Sequence, residues 1–91
     1  MEQIIDKFRK NAVEEVRATL SEYRGHQFFS LRVWTEVEGG KWVPTKKGLT
    51  LKTDLFPEFS KAVEKIKAAL VETGLLDLED LEVEVSNGDP R

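Results

Sequence analysis

The run Val16-Arg17-Ala18-Thr19-Leu20-Ser21-Glu22-Tyr23-Arg24-Gly25-His26-Gln27-Phe28-Phe29-Ser30-Leu31-Arg32-Val33-Trp34 decides the fold. Val16, Ala18 and Leu20 alternate with Arg17, Thr19, Ser21 and Tyr23, which is the period of a strand with one buried face. Tyr23-Arg24-Gly25-His26 then supplies a glycine where a tight hairpin needs a residue tolerant of positive φ. A second, longer strand follows, with Phe29, Leu31, Val33 and Val37 on one face. Its other face carries Phe28, Ser30, Arg32, Trp34, Glu36 and Glu38. Two large aromatics flanking an arginine are an odd mixture for a face that meets only solvent, and this is the first functional hint.

Beyond this hairpin, Gly39-Gly40 reads as a second turn and Lys41-Trp42-Val43-Pro44 as a third short strand. Pro44 cannot donate a ladder hydrogen bond, so that strand is expected to end there or to lie at an edge. Thr45-Lys46-Lys47-Gly48 reads as a basic turn into a fourth strand, Leu49-Thr50-Leu51. After Lys52 the period returns to about 3.6. Leu55, Phe56, Phe59, Val63, Ile66 and Leu70 fall on one stripe, and Glu58, Lys61, Glu64, Lys65 and Glu72 lie opposite. This predicts a long amphipathic helix, with Pro57 tolerated in its first turn and Gly74 as its C-cap. On the amino-terminal side, Ile4, Ile5, Phe8 and Ala12 have the spacing of one helical face and predict a short N-terminal helix. At the other end, Leu75, Leu76, Leu78 and Leu81 predict a short helix or strand. Glu82, Val83, Glu84 and Val85 then alternate before a frayed polar end. The fold class is α+β, in the order β-β-β-β-α after the short helix.

The chain has 91 residues, is 40% hydrophobic and 34% charged, and contains no cysteine and a single histidine. That length makes one domain, residues 1–91, with a core at about 14–73 and an acidic extension over 75–91. A core this thin makes oligomerisation an expectation, and Phe56, Leu75, Leu76, Ile4 and Phe8 exceed what one side of one helix can cover. Without cysteine there is no disulfide framework, thiolate nucleophile or thiolate metal site, so no metal or other cofactor is expected. No apolar run approaches the roughly 20 residues of a membrane span, and Met-Glu-Gln-Ile-Ile-Asp lacks the features of a secretion signal. The expected location is cytoplasmic, associated with the nucleoid if the source is bacterial.

The formal charge of −3 hides a polarised chain. Residues 1–23 are nearly balanced at −1, residues 24–52 carry +4, and residues 53–91 carry −6. Charged partners respond to the local field within a Debye length of about 8 to 10 Å, so the middle third can meet a polyanion despite the acidic whole.

Leu20-Ser21-Glu22-Tyr23-Arg24-Gly25, Leu31-Arg32-Val33-Trp34 and Trp42-Val43-Pro44-Thr45-Lys46-Lys47-Gly48-Leu49-Thr50-Leu51, taken together, resemble the transcriptional coactivator positive cofactor 4 family. The resemblance covers about forty residues, and the following helix fits it. It implies a curved four-stranded antiparallel sheet followed by a long helix. It also implies a homodimer formed through helix and strand edges, and binding of single-stranded DNA without sequence preference. Carried over by position, Tyr23 is a stacking aromatic, Arg24 a basic turn residue, Arg32 an arginine on the binding sheet, and Lys46 and Lys47 basic residues after the proline. His26 and Val43 stand where eukaryotic members carry lysines, and Thr35 stands where they carry a tryptophan. The serine-rich regulatory arm of those members is absent, as in a short bacterial or phage-type member.

The residue types suit that chemistry. Single strands are held by cations that track phosphates and by aromatic faces on which bases stack, at about 1 to 3 kcal/mol per base. Tyr23, Phe28 and Trp34, with Arg17, Arg24, Arg32, Lys46 and Lys47, supply both, and His26 beside the hairpin glycine is a further phosphate or base contact. On charge alone the Lys46-Lys47 pair is equally an ordinary solvated turn, and Trp42 reads as core or interface. Nothing resembles a catalytic constellation: Glu36 and Glu38 share a strand face as solvated carboxylates, and the acids from Asp77 to Glu84 lack calcium-loop spacing. The expectation is therefore a non-enzymatic accessory factor in transcription, replication or repair. Two other readings stay open, namely single-stranded RNA as the ligand and a protein-interaction module built on the aromatic face. The acidic segment 75–91 is a candidate surface for a protein partner.

Overall fold

The computed structural model describes residues 2–81. The chain divides into two compact units, Met1–Phe56 and Pro57–Arg91. The first is a curved antiparallel sheet of four strands, β1 (Glu2–Arg9), β2 (Glu14–Tyr23), β3 (His26–Val37) and β4 (Lys41–Lys52), in the spatial order β1-β2-β3-β4.

The β2–β3 hairpin is the one read from the alternation. Tyr23 pairs with His26 across a two-residue loop in which Arg24 (φ 52°) and Gly25 (φ 80°) are both left-handed, the geometry whose twist matches the flanking strands. The four strands are not the four expected. The amino-terminal segment is a strand instead of a short helix. One extra residue bulges between Ile4 and Asp6, so Ile4 lies opposite Thr19 while Phe8 lies opposite Val16 on the other face. A bulged strand thus reproduces the apolar spacing of a helix, and pairing with β2 overrides the local pattern. The two short strands expected around Pro44 and Leu49 are one continuous β4. Pro44 is tolerated because β4 is an edge of the sheet. The basic segment between them is a bulge, since Arg32 pairs with Gly48 but Trp34 pairs with Pro44. Two extra residues on β4 preserve the parity of its side chains.

Gly48 marks a close approach of β4 to β3. Its φ is 133°, and a Cβ there would collide with the Leu31 carbonyl oxygen and come within 2.6 Å of the Arg32 Cα. Only glycine permits this crossing.

The register assigns each side chain to a face. Glu15, Arg17, Thr19, Ser21 and Tyr23 of β2 share one face with His26, Phe28, Ser30, Arg32 and Trp34 of β3. Lys7 and Arg9 of β1 and Trp42 and Thr50 of β4 join it. Val16, Ala18, Leu20, Phe29, Leu31 and Val33 form the opposite, apolar face, on which Phe29 and Val33 are buried. Phe29 meets Phe56 edge to face, with ring centroids 5.3 Å apart, the arrangement favoured by aromatic quadrupoles.

The second unit contains most of helix α1 (Phe56–Glu72), the amphipathic helix anticipated from the 3.6-residue period. It ends at Gly74 as expected. Leu75 N–H bonds to the Leu70 carbonyl and Gly74 N–H to the Val71 carbonyl, the paired bonds of a Schellman cap. Residues 78–81 form one further helical turn. The alternating stretch and frayed end expected over residues 82–91 lie outside the described residues. Among the described residues, no helix is long and apolar enough to cross a membrane.

Candidate nucleic-acid interface

Alternation along β3 places Arg32 and Trp34 on the polar face, and the β4 bulge brings Lys46 to them. These three side chains, with Ser30, Pro44, Thr45 and Glu2, line a groove of about 470 Å³. Arg32 is fixed within it. Its guanidinium donates to the Thr45 carbonyl (3.2 Å) and to Thr50 Oγ1 (2.8 Å), both on β4. A guanidinium carries five N–H groups in a rigid fork, so a guanidinium held by two bonds can still present donors to an anion. Thr45 is itself held, donating to the Val33 carbonyl (2.8 Å) and accepting from Lys47 N–H (3.1 Å). The bulge that interrupts the ladder therefore builds one wall of the groove.

Beside the groove, cations and indoles are layered. The Arg17 guanidinium lies 4.2 Å from the centroid of the Trp34 ring and 5.8 Å from that of Trp42, and Arg9 lies 5.2 Å from Trp42. Glu15 anchors this stack, accepting from Arg17 Nε at 2.8 Å, with Lys7 Nζ at 4.0 Å from the same carboxylate oxygen. The hydrogen bond from Arg17 holds the Glu15 carboxyl below the ordinary glutamate range. Thr19 and Ser30 share a hydrogen bond of 2.5 Å at the centre of the face.

The hairpin forms the far end. Tyr23 is 62% exposed, and the Arg24 guanidinium sits 5.1 Å from its ring centroid. His26 lies opposite Tyr23, and Phe28, half-buried, lies opposite Ser21 and Lys52 between hairpin and groove. From Phe28 to Trp34 the face runs about 20 Å along β3.

Eight of the nine residues read from the sequence as ligand contacts thus meet on or beside one face: Arg17, Tyr23, Arg24, His26, Phe28, Arg32, Trp34 and Lys46. Lys47 does not join the groove. Its ammonium pairs at 3.6 Å with Glu14, whose side chain alternation directs to the opposite face. The Glu14 carboxyl is also below its ordinary range, first through the Asn11 amide and then through Lys10. Trp42, read as core or interface, belongs to the polar face as the ring between Arg9 and Arg17. The turn at residues 38–40 sets Val37 opposite Lys41 and so Trp42 opposite Glu36, on the face of Arg32 and Trp34, a register that the Gly39-Gly40 signal alone does not specify. Lys7, Arg9 and Glu15 were also missed, because an N-terminal helix left no sheet neighbour for β2.

Fold and site together define a class: a curved antiparallel sheet presenting an aromatic and cationic face, followed by an amphipathic helix. A family model described as Transcriptional Coactivator p15 (PC4) matches residues 10–62. The chain belongs to the PC4 family. No curated protein matches the chain. Among solved structures it is similar to a bacteriophage T5 homolog of the eukaryotic coactivator PC4, implicated in recombination-dependent DNA replication. That similarity has a TM-score of 0.66 at 23% identity, over 100% of this chain and 97% of that one. A PC4 homolog from Burkholderia pseudomallei is similar in two crystal forms. The orthorhombic form gives a TM-score of 0.66 at 22% identity, over 71% of this chain and 88% of that one. The tetragonal form gives 0.68 at 21% identity, over 74% and 98%. At these identities the likeness is one of fold.

Proposed function

We propose that this protein binds single-stranded DNA on the polar face of its sheet, without preference for base sequence. In this reading it acts as a homodimer and without catalysis, as an accessory factor in transcription, replication or repair. The observation that carries the proposal is the groove in which Arg32, pinned by two hydrogen bonds, stands beside Trp34 and Lys46. A pinned guanidinium and a neighbouring ammonium suit phosphate, and an adjoining row of aromatic rings suits unpaired bases, which offer a π-face whatever their identity. Membership of the PC4 family supports a DNA ligand, and the phage T5 homolog supports a place in replication. The dimer is supported by large apolar side chains left exposed, including Ile5 and Phe8 of β1 and Val63 and Ile66 of α1. A second copy is the partner whose surface is certain to be present at matching concentration.

The test is a fluorescence-anisotropy titration of a labelled twenty-nucleotide single strand, its duplex and the matching RNA at several salt concentrations, with mass measured by light scattering. The expected result is a dimer that prefers the DNA single strand and whose log affinity falls with log salt by about 0.7 per phosphate contacted. Tyr23→Ala and Arg32→Ala are each expected to weaken binding, Tyr23→Ala by about 1 to 3 kcal/mol, with the dimer intact. Equal binding of RNA would widen the ligand class. Absence of binding at low salt would overturn the proposal in favour of an aromatic protein-docking face.

A further inference from the structure

Lys7, Arg17 and Arg32 form a single row across three neighbouring strands: Lys7 is the register partner of Arg17, and Arg17 is the register partner of Arg32. Side chains directly opposite one another in an antiparallel pair stand about 5 Å apart, and like charges placed there destabilise the sheet. Among the described residues one carboxylate pairs with the row, and a second, Glu2, lines the groove of Arg32. Glu15 bonds Arg17 and stands 4.0 Å from Lys7, while the bonds of Arg32 go to a carbonyl and a hydroxyl. The row therefore holds three cations against one paired acid, with Glu2 nearby in the groove, and a local excess of this kind points to a site whose counter-charge is supplied from outside.

The bulge between Ile4 and Asp6 makes the row possible. In an unbulged β1, Lys7 would fall on the apolar face, as the pairing of Gln3 with Leu20 dictates by parity; the extra residue turns it to the polar face. Lys7 lies outside the stretch matched by the family model, which begins at residue 10. Its side chain is 59% exposed, whereas that of Arg17 is 11% exposed, so Lys7 is the accessible end of the row and Arg17 its stacked middle.

We propose that a nucleic-acid single strand crosses the sheet along the row Arg32–Arg17–Lys7, which makes β1 part of the binding site and Lys7 a phosphate contact. This rests on the single-strand reading above and adds the direction of the strand, from the groove at β3 and β4 across β2 to the β1 edge. The row spans about 10 Å, and a stacked strand advances about 3.4 Å per nucleotide along its axis, so it accommodates roughly three nucleotides.

The experiment compares the unmodified chain with Lys7→Gln, Lys7→Arg and the helix control Lys61→Gln. Each is titrated with a labelled twenty-nucleotide DNA single strand at several salt concentrations and followed by thermal melting and light scattering. Lys7→Gln is expected to weaken binding about two- to five-fold and to reduce the salt slope by about 0.7. Its melting temperature should be unchanged or higher, since a repelling charge has gone, and Lys7→Arg and Lys61→Gln should bind like the unmodified chain. Unchanged affinity and slope in Lys7→Gln would overturn the proposal. So would a fall in melting temperature or in mass that accounts for the lost binding, or a loss that Lys7→Arg shares. If the unmodified chain fails to bind the strand at all, the single-strand reading itself falls, and this path with it.

Discussion

The two faces of the sheet invert the usual relation between polarity and burial. On the face rich in charge and hydroxyls, Glu15, Arg17, Thr19 and Ser30 are all buried to 9% exposure or less. On the apolar face Leu20 is 43% exposed and Phe8 59%. Burying polar groups costs free energy unless they are paired, and here they are: Arg17 with Glu15, Thr19 with Ser30, Arg32 with Thr45 and Thr50. The polar face is thus held by specific bonds and organised before any ligand arrives. The apolar face is left with surface that water disfavours and that a second protein surface would cover. In the proposed function the first face meets the nucleic acid and the second a copy of the same chain.

The largest effect expected is on the polar face. Gly48 faces Arg32 at the closest approach of β3 and β4, and Gly48→Ala would drive a methyl group into the Leu31 carbonyl and the Arg32 backbone. Backbone cannot give way as a flexible side chain can. The substitution is expected to cost about 3 kcal/mol or more in urea unfolding. A cost below about 1 kcal/mol would mean that the β4 bulge is more pliable than the polar face requires.

A smaller effect follows from acid. The carboxyl of Glu15 is held below its ordinary range by its bond from Arg17, and that of Glu14 by Asn11 and Lys10. A carboxyl lowered in the folded state contributes stability that is complete above its unfolded value and is lost as pH falls through the lowered folded value. Melting temperature should therefore be flat near neutrality and decline below the ordinary carboxylate value near 4.5. Glu15→Gln should be less stable than the unmodified chain at pH 7, and the gap should narrow at pH 3. A constant gap across that range would detach Glu15 from the stability of the polar face.

What was legible in the sequence followed from regular alternation and from glycine. β2, β3, their hairpin and α1 with its Gly74 cap each obey one period from end to end, so most of the binding face was visible once β3 was aligned with β2. The misreadings fall where the period breaks. A one-residue bulge gave β1 the spacing of a helix, and a two-residue bulge with Pro44 made β4 look like two strands around a turn. Those breaks also decide the site's composition: the first turns Lys7 and Arg9 to the polar face, and the second separates Lys46 in the groove from Lys47 beside Glu14. Adjacent lysines carry no signal of which one faces the ligand, because that depends on a register set by another strand.

The smallest effect sets stability against binding within the polar face itself. Arg24 occupies the first position of a turn that demands left-handed backbone, with φ at 52°. A side chain with a Cβ gives up about 1 kcal/mol there relative to glycine, and asparagine is the residue that tolerates the position best. The arginine is retained with its guanidinium at the Tyr23 ring, where a base would stack in the proposed function. Arg24→Asn should therefore raise stability by about 0.5 kcal/mol in urea unfolding while weakening single-strand binding and lowering its salt slope by about 0.7. Opposite signs in the two measurements would tie the strain at Arg24 to ligand binding. A gain in stability with unchanged affinity would leave Arg24 a poor turn residue with no part in the face.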